Sequence, residues 1–435
     1  MKYFRLNSNY KNVLPLSFNS SINYFHLIQL TLAFTLPFHR NISSLLTILL
    51  LLRWFIEGDI VNKTKSVFTN KYGLLFTSIF FVPLASLLYT TDMGNGLYNT
   101  EKILSIVIFP LVLLSSPIPT THQVINILKS FCLGCFGAML IALFHALMLN
   151  FQQNKFNRII PGLYDTNIVT IIGISHVYFG LYLALAILII TTATINGKIF
   201  YFKNKWIQVI IGVCLLLFLI LLGAKMAIIA IFLILLINLA SYIIRSGRYI
   251  LAIVCCLLLG CFFYLTISIF PVTKERFEAL SNQENYQIGD NQWNSIASRI
   301  SILYCTKAVL KQNWLLGVGI GDAQHELNEC FTSNKFGTLI NMNAHNQFLQ
   351  YILTSGITAF IAFTLCFLYP FVKFFRLRKA NYLYIDFLLL FAFCCLTESM
   401  LESNKGIVFY SYFNSLLFLH VKKLQEEENS ASLNR

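Results

Sequence analysis

The stretch NMNAHNQFLQYILTSGITAFIAFTLCFLYPFVKFF, residues 341–375, decides how the chain is read. Amides crowd around His345, and from Gln347 onward the run is apolar, with Lys373 its only charge. A helix needs about 20 such residues to cross a bilayer, and 347–375 exceeds that. The composition extends the reading to the whole chain. Of 435 residues, 57% are hydrophobic and 11% are charged, with a mean hydropathy of +0.68. Soluble domains carry about 25% charged residues. The net charge of +14 does not indicate a nucleic-acid partner, because no basic patch interleaved with aromatics lies outside the membrane flanks.

Twelve apolar segments follow from this criterion: 22–38, 42–57, 72–90, 103–118, 124–149, 168–194, 206–223, 226–244, 249–270, 347–375, 382–399 and 405–420. Backbone in lipid must satisfy its own hydrogen bonds, and no strand alternation is visible, so each is read as a helix. The expected fold is an all-α polytopic membrane protein of about twelve transmembrane helices. The chain is read as a single membrane domain, 1–435, with one large loop on the outer face, 271–346, between helices 9 and 10. The first run is not followed by a small-residue cleavage site, so it is read as a span rather than a removable leader. Most Lys and Arg residues, among them Arg53, Lys63, Lys65, Lys71, Lys203 and Lys205, fall on the side of the N-terminus. That side is cytoplasmic by the positive-inside rule, which puts both termini inside.

The loop 271–346 holds the polar piece SNQENYQIGDNQWNS (281–295), then IASRISILYCTKAVLKQ (296–312), then GVGIGD (317–322). The middle piece is expected to form an amphipathic helix, with Ile296, Ile300, Leu303 and Lys307 at helical spacing and Leu310 three residues on. Cys305 and Cys330 lie in this loop and are candidates for a disulfide on an oxidising side. Most other cysteines sit inside apolar runs and read as small hydrophobes. GVGIGD lacks the GK[ST] ending of a phosphate loop. It is read as a turn allowing close chain approach, with backbone N–H groups as possible anion donors.

Ionisable groups near membrane depth are functional candidates. Lys225, in LLGAKMAIIA, falls at the outer end of a helix, either as a snorkelling lysine or as a cation facing a lipid head group. Arg299 has the guanidinium geometry that suits phosphate oxygens. His345 stands where the loop re-enters the membrane, beside Asn346. His176, in ISHVYFGLYLA, lies at the outer end of its own helix, and Arg158 lies in the second outer loop, 150–167. Glu398 and Glu402 are spaced one helical turn apart and are expected to share a face, pairing with a cation or acting as a base. Asp290 and Asp322 stand isolated, and no paired-carboxylate metal motif appears in the outer loops.

At these places the chain resembles the O-antigen ligase and O-antigen polymerase superfamily of membrane glycan transferases. SRISILYCTKAVLKQNWLLGVGIGD resembles that family's arginine-bearing helix followed by a glycine-rich turn. AHNQFLQYILTSGI resembles its histidine motif, His-Asn, nine residues, then Gly356. LLGAKMAIIA resembles its basic position, with Lys225 where arginine is usual. A second departure is Ala359 three residues after Gly356, where the family often has Gly, Thr or Tyr. The resemblance implies a donor glycan joined to undecaprenyl through pyrophosphate and an acceptor sugar hydroxyl, at the periplasmic face of a bacterial inner membrane. It implies His345, Arg299 and Lys225 as catalytic residues. Asn346, His176, Gly317, Gly319, Gly321 and Arg158 are expected to bind substrate, and neither metal nor cofactor is expected. The transfer would invert the anomeric centre. The acceptor decides between ligase, favoured by the late loop and the His-Asn motif, and repeat-unit polymerase. A polytopic transporter or flippase is the reading from another class.

Overall fold

The computed structural model describes residues 24–152, 166–195, 205–246, 249–269, 295–375 and 382–433, with isolated positions between 270 and 294. No strand occurs among them. The helices are α1 (Tyr24–Thr35), α2 (Arg40–Ile56), α3 (Ile60–Phe68), α4 (Lys71–Ala85), α5 (Met93–Lys102), α6 (Ser105–Ser115), α7 (Thr121–Gln152) and α8 (His176–Ile195). They continue with α9 (Lys205–Leu221), α10 (Lys225–Ser246), α11 (Tyr249–Ile269), α12 (Ser295–Asn313), α13 (Ala323–Ser333), α14 (Gln347–Phe375), α15 (Tyr382–Cys395) and α16 (Asn404–Leu433). Each of the twelve apolar runs overlaps a helix, some only in part. Among the described residues, five segments are long and apolar enough to cross a membrane: Lys71–Leu88, Met93–Ser115, Thr121–Met148, His176–Thr194 and Gln347–Phe374. The polar piece 281–295 and Asp290 lie outside the described residues, Ile288 and Ser295 excepted.

α8 occupies the centre. Every residue from Phe179 to Ile190 is buried, as expected of a helix that is apolar all round. α7, α9, α10 and α15 pack against it. Aromatic rings knit the bundle: Tyr182 stacks on Phe409 at 4.6 Å, Phe131 meets Phe413 at 4.7 Å and Phe391 meets Tyr410 at 4.6 Å. Lys405 is buried at the start of α16 and donates to the carbonyls of Leu36 and Phe38 just past α1. A cation there satisfies carbonyls that a helix leaves open at its C-terminal end.

A second, smaller core stands apart from the bundle. Ile302, Cys305, Ala323, Leu327, Phe331, Phe336 and Leu339 close α12 against α13, and Leu353 of α14 joins them. Cys305 and Cys330 are disulfide-bonded, with Cα atoms 5.6 Å apart. The expected apolar stripe of α12 packs only in part: Leu310 lies against this core and Ile296 and Ile300 are half-buried. Leu303 and Lys307 are exposed, and Ala297, Ser301, Ile302, Cys305 and Thr306 are buried. The disulfide and the α13 contact choose the face, and small and polar side chains fit that close approach better than the larger apolar ones.

α14 is two helices in succession. Ser355 (φ −143°, ψ 17°) and Gly356 (φ 72°, ψ −167°) break it. The turn 313–319 fills the break. Val318 N donates to Leu353 O at 2.8 Å and Gly319 N to Thr354 O at 3.0 Å. Ile357 N, the first amide beyond the break, donates to the carbonyls of Trp314 and Leu315 at 3.1 and 3.2 Å. The contact requires glycine on both sides. A Cβ on Gly317 would stand 2.6 Å from Ser355 N, and one on Gly356 would stand 2.0 Å from Leu315 O. The stretch 357–375 is about 28 Å long at 1.5 Å per residue. That length matches the about 30 Å hydrocarbon core of a bilayer, with the short helix 347–354 above it.

Candidate active site at the start of the broken helix

The loop 341–346 turns sharply before α14 begins. Asn341 (φ 68°) and His345 (φ 45°) both take the left-handed conformation. Asn346 caps α14: its Oδ1 accepts from Leu349 N at 3.1 Å, and its Nδ2 donates to Leu396 O at 2.9 Å. Gln350 reaches back so that its Oε1 accepts from Ala344 N at 3.0 Å, and Gln347 Oε1 accepts from Leu401 N at 2.6 Å. The segment 396–401 is thereby fastened to the start of α14.

That fastening brings Glu398 to His345. Nδ1 of the imidazole lies 3.2 Å from Glu398 Oε2, with the side chains 22% and 16% exposed. An ionised carboxylate only accepts, so Nδ1 carries the hydrogen of this pair and Nε2 is the nitrogen left with a lone pair. A partly buried carboxylate at this distance fixes the orientation of the ring.

The expectation that Glu398 and Glu402 share one helical face does not hold. α15 ends at Cys395, Glu398 sits in the following turn and Glu402 in a short 3-10 helix, Met400–Glu402. The two carboxylates take different partners. Glu402 Oε2 lies 2.7 Å from Lys102 Nζ, which also donates to Asn99 Oδ1 at 3.1 Å. Nor is Asp322 isolated. Its carboxylate accepts from Thr91 N at 2.6 Å, Asp92 N at 2.8 Å and the Thr90 hydroxyl at 3.2 Å. Burial pushes its pKa up, but these donors more than offset it and hold the carboxyl below its ordinary value.

The sequence candidates fall into groups. Arg299 stands in the first turns of α12 and Lys225 opens α10, while His176 opens α8. None of these three helices has an acidic residue in its first turn. Positive charge at a helix start opposes the helix dipole, and an anionic ligand would offset both. Gly317, Gly319 and Gly321 serve close approach. The amides of 317–321 already donate to Asn313 O, Leu353 O, Thr354 O, the Ser86 hydroxyl and the Thr90 hydroxyl. Arg158 lies outside the described residues.

A cavity of about 420 Å³ opens beside this loop, between α5, the GVGIGD turn, α13 and the start of α14. Gly321, Asn341, Gln347, Gln350 and Glu402 line it, as do Asn95, Tyr98, Asn99 and Lys102 of α5. Sequence reading passed over α5. Its signal was the polar run MGNGLYNTEK between two apolar segments, which reads as a simple connection until its partners are known.

An all-helical chain with several membrane-length helices and its polar, titratable groups collected at one end of the bundle is the layout of a membrane protein whose site opens at one surface. Residues 210–364 match the profile of the family described as O-antigen ligase. The match contains Lys225, Arg299, the glycine-rich turn, His345 and Gly356. It supports placement in the O-antigen ligase and polymerase superfamily, and with it membrane glycosyl transfer at the level of the family. No curated protein matches the chain.

Proposed function

We propose that the protein transfers a glycan from undecaprenyl pyrophosphate to a sugar hydroxyl at the periplasmic face of the inner membrane, as an O-antigen ligase. The observation that carries the reading is the His345–Glu398 pair, 3.2 Å apart, whose histidine lies inside the region matched by that family. The acceptor hydroxyl oxygen attacks the anomeric carbon, and the bond from that carbon to the pyrophosphate oxygen breaks. The lipid pyrophosphate leaves with the electron pair, and the hydroxyl proton passes to His345 Nε2. Glu398 holds the ring and stabilises the imidazolium that forms. Arg299 and Lys225 face the charge growing on the leaving group, which lowers the barrier most when donors are fixed in advance. A single direct displacement inverts the anomeric centre.

Reconstituted transfer tests the reading. His345→Ala should abolish it, and Glu398→Gln, which keeps shape and loses charge, should slow it about 10²- to 10⁴-fold. Wild-type rates in either variant would overturn the assignment. His325, Glu326 and Glu329 present ligand atoms within 4.8 Å of one another on α13, so chelation is a direct test of metal independence. Activity should survive it. Repeat-unit polymerase is the second reading, supported by the same donor-side charges. Lipopolysaccharide from a deletion strain separates the two: core without O-chains indicates ligase, core with a single repeat indicates polymerase. Transport of glycan across vesicles without transfer would favour a flippase.

A further inference from the structure

The cavity beside α5 is chemically unlike the surroundings expected for a pyrophosphate. Its one permanent cation, Lys102, is neutralised by Glu402 at 2.7 Å. Of the other ionisable side chains on its wall, His325 lies 3.7 Å from Glu329, and Asp92 is negative and accepts from Asn95 N and Nδ2 at 2.9 and 2.7 Å. The balance repels an anion.

Amides dominate the rest, and several keep hydrogen-bonding capacity after the fold has used its share. Gln347 and Gln350 are buried at 1% and 7% exposure, and their oxygens accept from Leu401 N and Ala344 N. Their Nε2 groups have no acceptor among the described residues. Gln324 Nε2 donates to Asn328 Oδ1 and Met342 O, which leaves its Oε1 open. Asn341 Oδ1 accepts from Asn328, which leaves its Nδ2 open. Tyr98 stands at the wall with 66% of its surface exposed and offers a ring face and a hydroxyl. Open donors and acceptors, an exposed aromatic face and no uncompensated permanent cation suit a neutral polyhydroxyl ring. The volume, about 420 Å³, falls in the range of about 300–1,000 Å³ typical of small-ligand sites.

We infer that this cavity holds an uncharged sugar of the acceptor, the residue that presents the reacting hydroxyl. The inference rests on the transfer reading above for the word acceptor, and on the cavity alone for the word sugar. Continuity places it with His345: Asn341, Gln347 and Gln350 line the cavity, and the last two are tied by hydrogen bonds to Leu401 and Ala344, which flank the His345–Glu398 pair in the chain. Donor and acceptor are then recognised by opposite chemistries. Fixed cations take the pyrophosphate, and neutral amides take the sugar.

The test uses the full chain in lipid nanodiscs and saturation-transfer difference NMR with glucose, galactose, N-acetylglucosamine and lactose. At least one should show transfer to its ring protons. Inorganic pyrophosphate at equal concentration should not displace it. Asn95→Ala with Gln324→Ala should weaken binding about tenfold, the loss expected for one or two neutral hydrogen bonds. Asn95→Trp, which fills the cavity rather than stripping it, should abolish binding, with unchanged thermal unfolding showing that each variant folds. No saccharide signal, displacement by pyrophosphate, or unchanged affinity in the folded variants would overturn the inference. Binding is read here without turnover. A chain that binds saccharide and transfers nothing refutes the transfer reading alone. A chain that transfers with an unaltered acceptor KM in the cavity variants refutes this inference alone.

Discussion

His345 carries a cost that points to its use. A non-glycine residue in the left-handed region is strained by about 1–2 kcal/mol, and the surrounding hydrogen bonds of Asn343, Asn346 and Gln350 hold it there. His345→Gly and His345→Ala both lose the Glu398 pair, and only alanine keeps the strain. The glycine variant should therefore be the more stable by about 1 kcal/mol in thermal unfolding, with transfer absent from both. Asp322 gives a second handle. Its carboxyl titrates lower in the folded protein than in an unfolded chain, so its stabilisation is complete above the unfolded value, about 3.9, and is lost as pH falls through the folded one. Asp322→Asn should lower the unfolding midpoint at pH 7, and the gap from wild type should close as the pH is taken below that range. His345 was legible in the sequence because its polar neighbours interrupt an apolar run. Glu398 was visible only as a candidate carboxylate. Its partner is 53 residues away, and no spacing rule reports a contact made by tertiary folding.

The helices themselves followed from hydropathy, since a chain in lipid has few other ways to satisfy its backbone. What hydropathy missed is the break at Gly356, because a sliding window over 347–375 sees only uninterrupted apolarity. It also missed which side of α12 packs, a choice made by Cys305 and its bond to Cys330. Both omissions are testable. Gly356→Ala would push a methyl group to 2.0 Å from Leu315 O in a conformation alanine rarely adopts. It should prevent the turn 313–319 from docking, seen as loss of folded protein on size-exclusion chromatography. Cys305→Ser opens a loop spanning 25 residues, which should cost about 3 kcal/mol, read as a lower midpoint in denaturant. A variant as stable as wild type would mean that the small core of Leu327 and Phe331 holds α12 and α13 unaided.

Across the molecule, the proposal places the surface carrying α12 and α13 outside on two independent grounds. The expected Lys and Arg bias favours that side, and a disulfide such as Cys305–Cys330 suits an oxidising compartment. In spheroplasts, Gln312→Cys should react with a membrane-impermeant maleimide. Lys65→Cys, on the exposed surface of α3, should react only after permeabilisation. The reverse pattern would invert the proposed site. The broken helix adds a constraint of timing. The residues that receive its severed hydrogen bonds, 313–319, precede it in the chain. They leave the ribosome first, so the amides and carbonyls that close the break are already made when Leu353, Thr354 and Ile357 need them. Had the order of turn and helix been reversed, synthesis would have delivered the break before anything could close it.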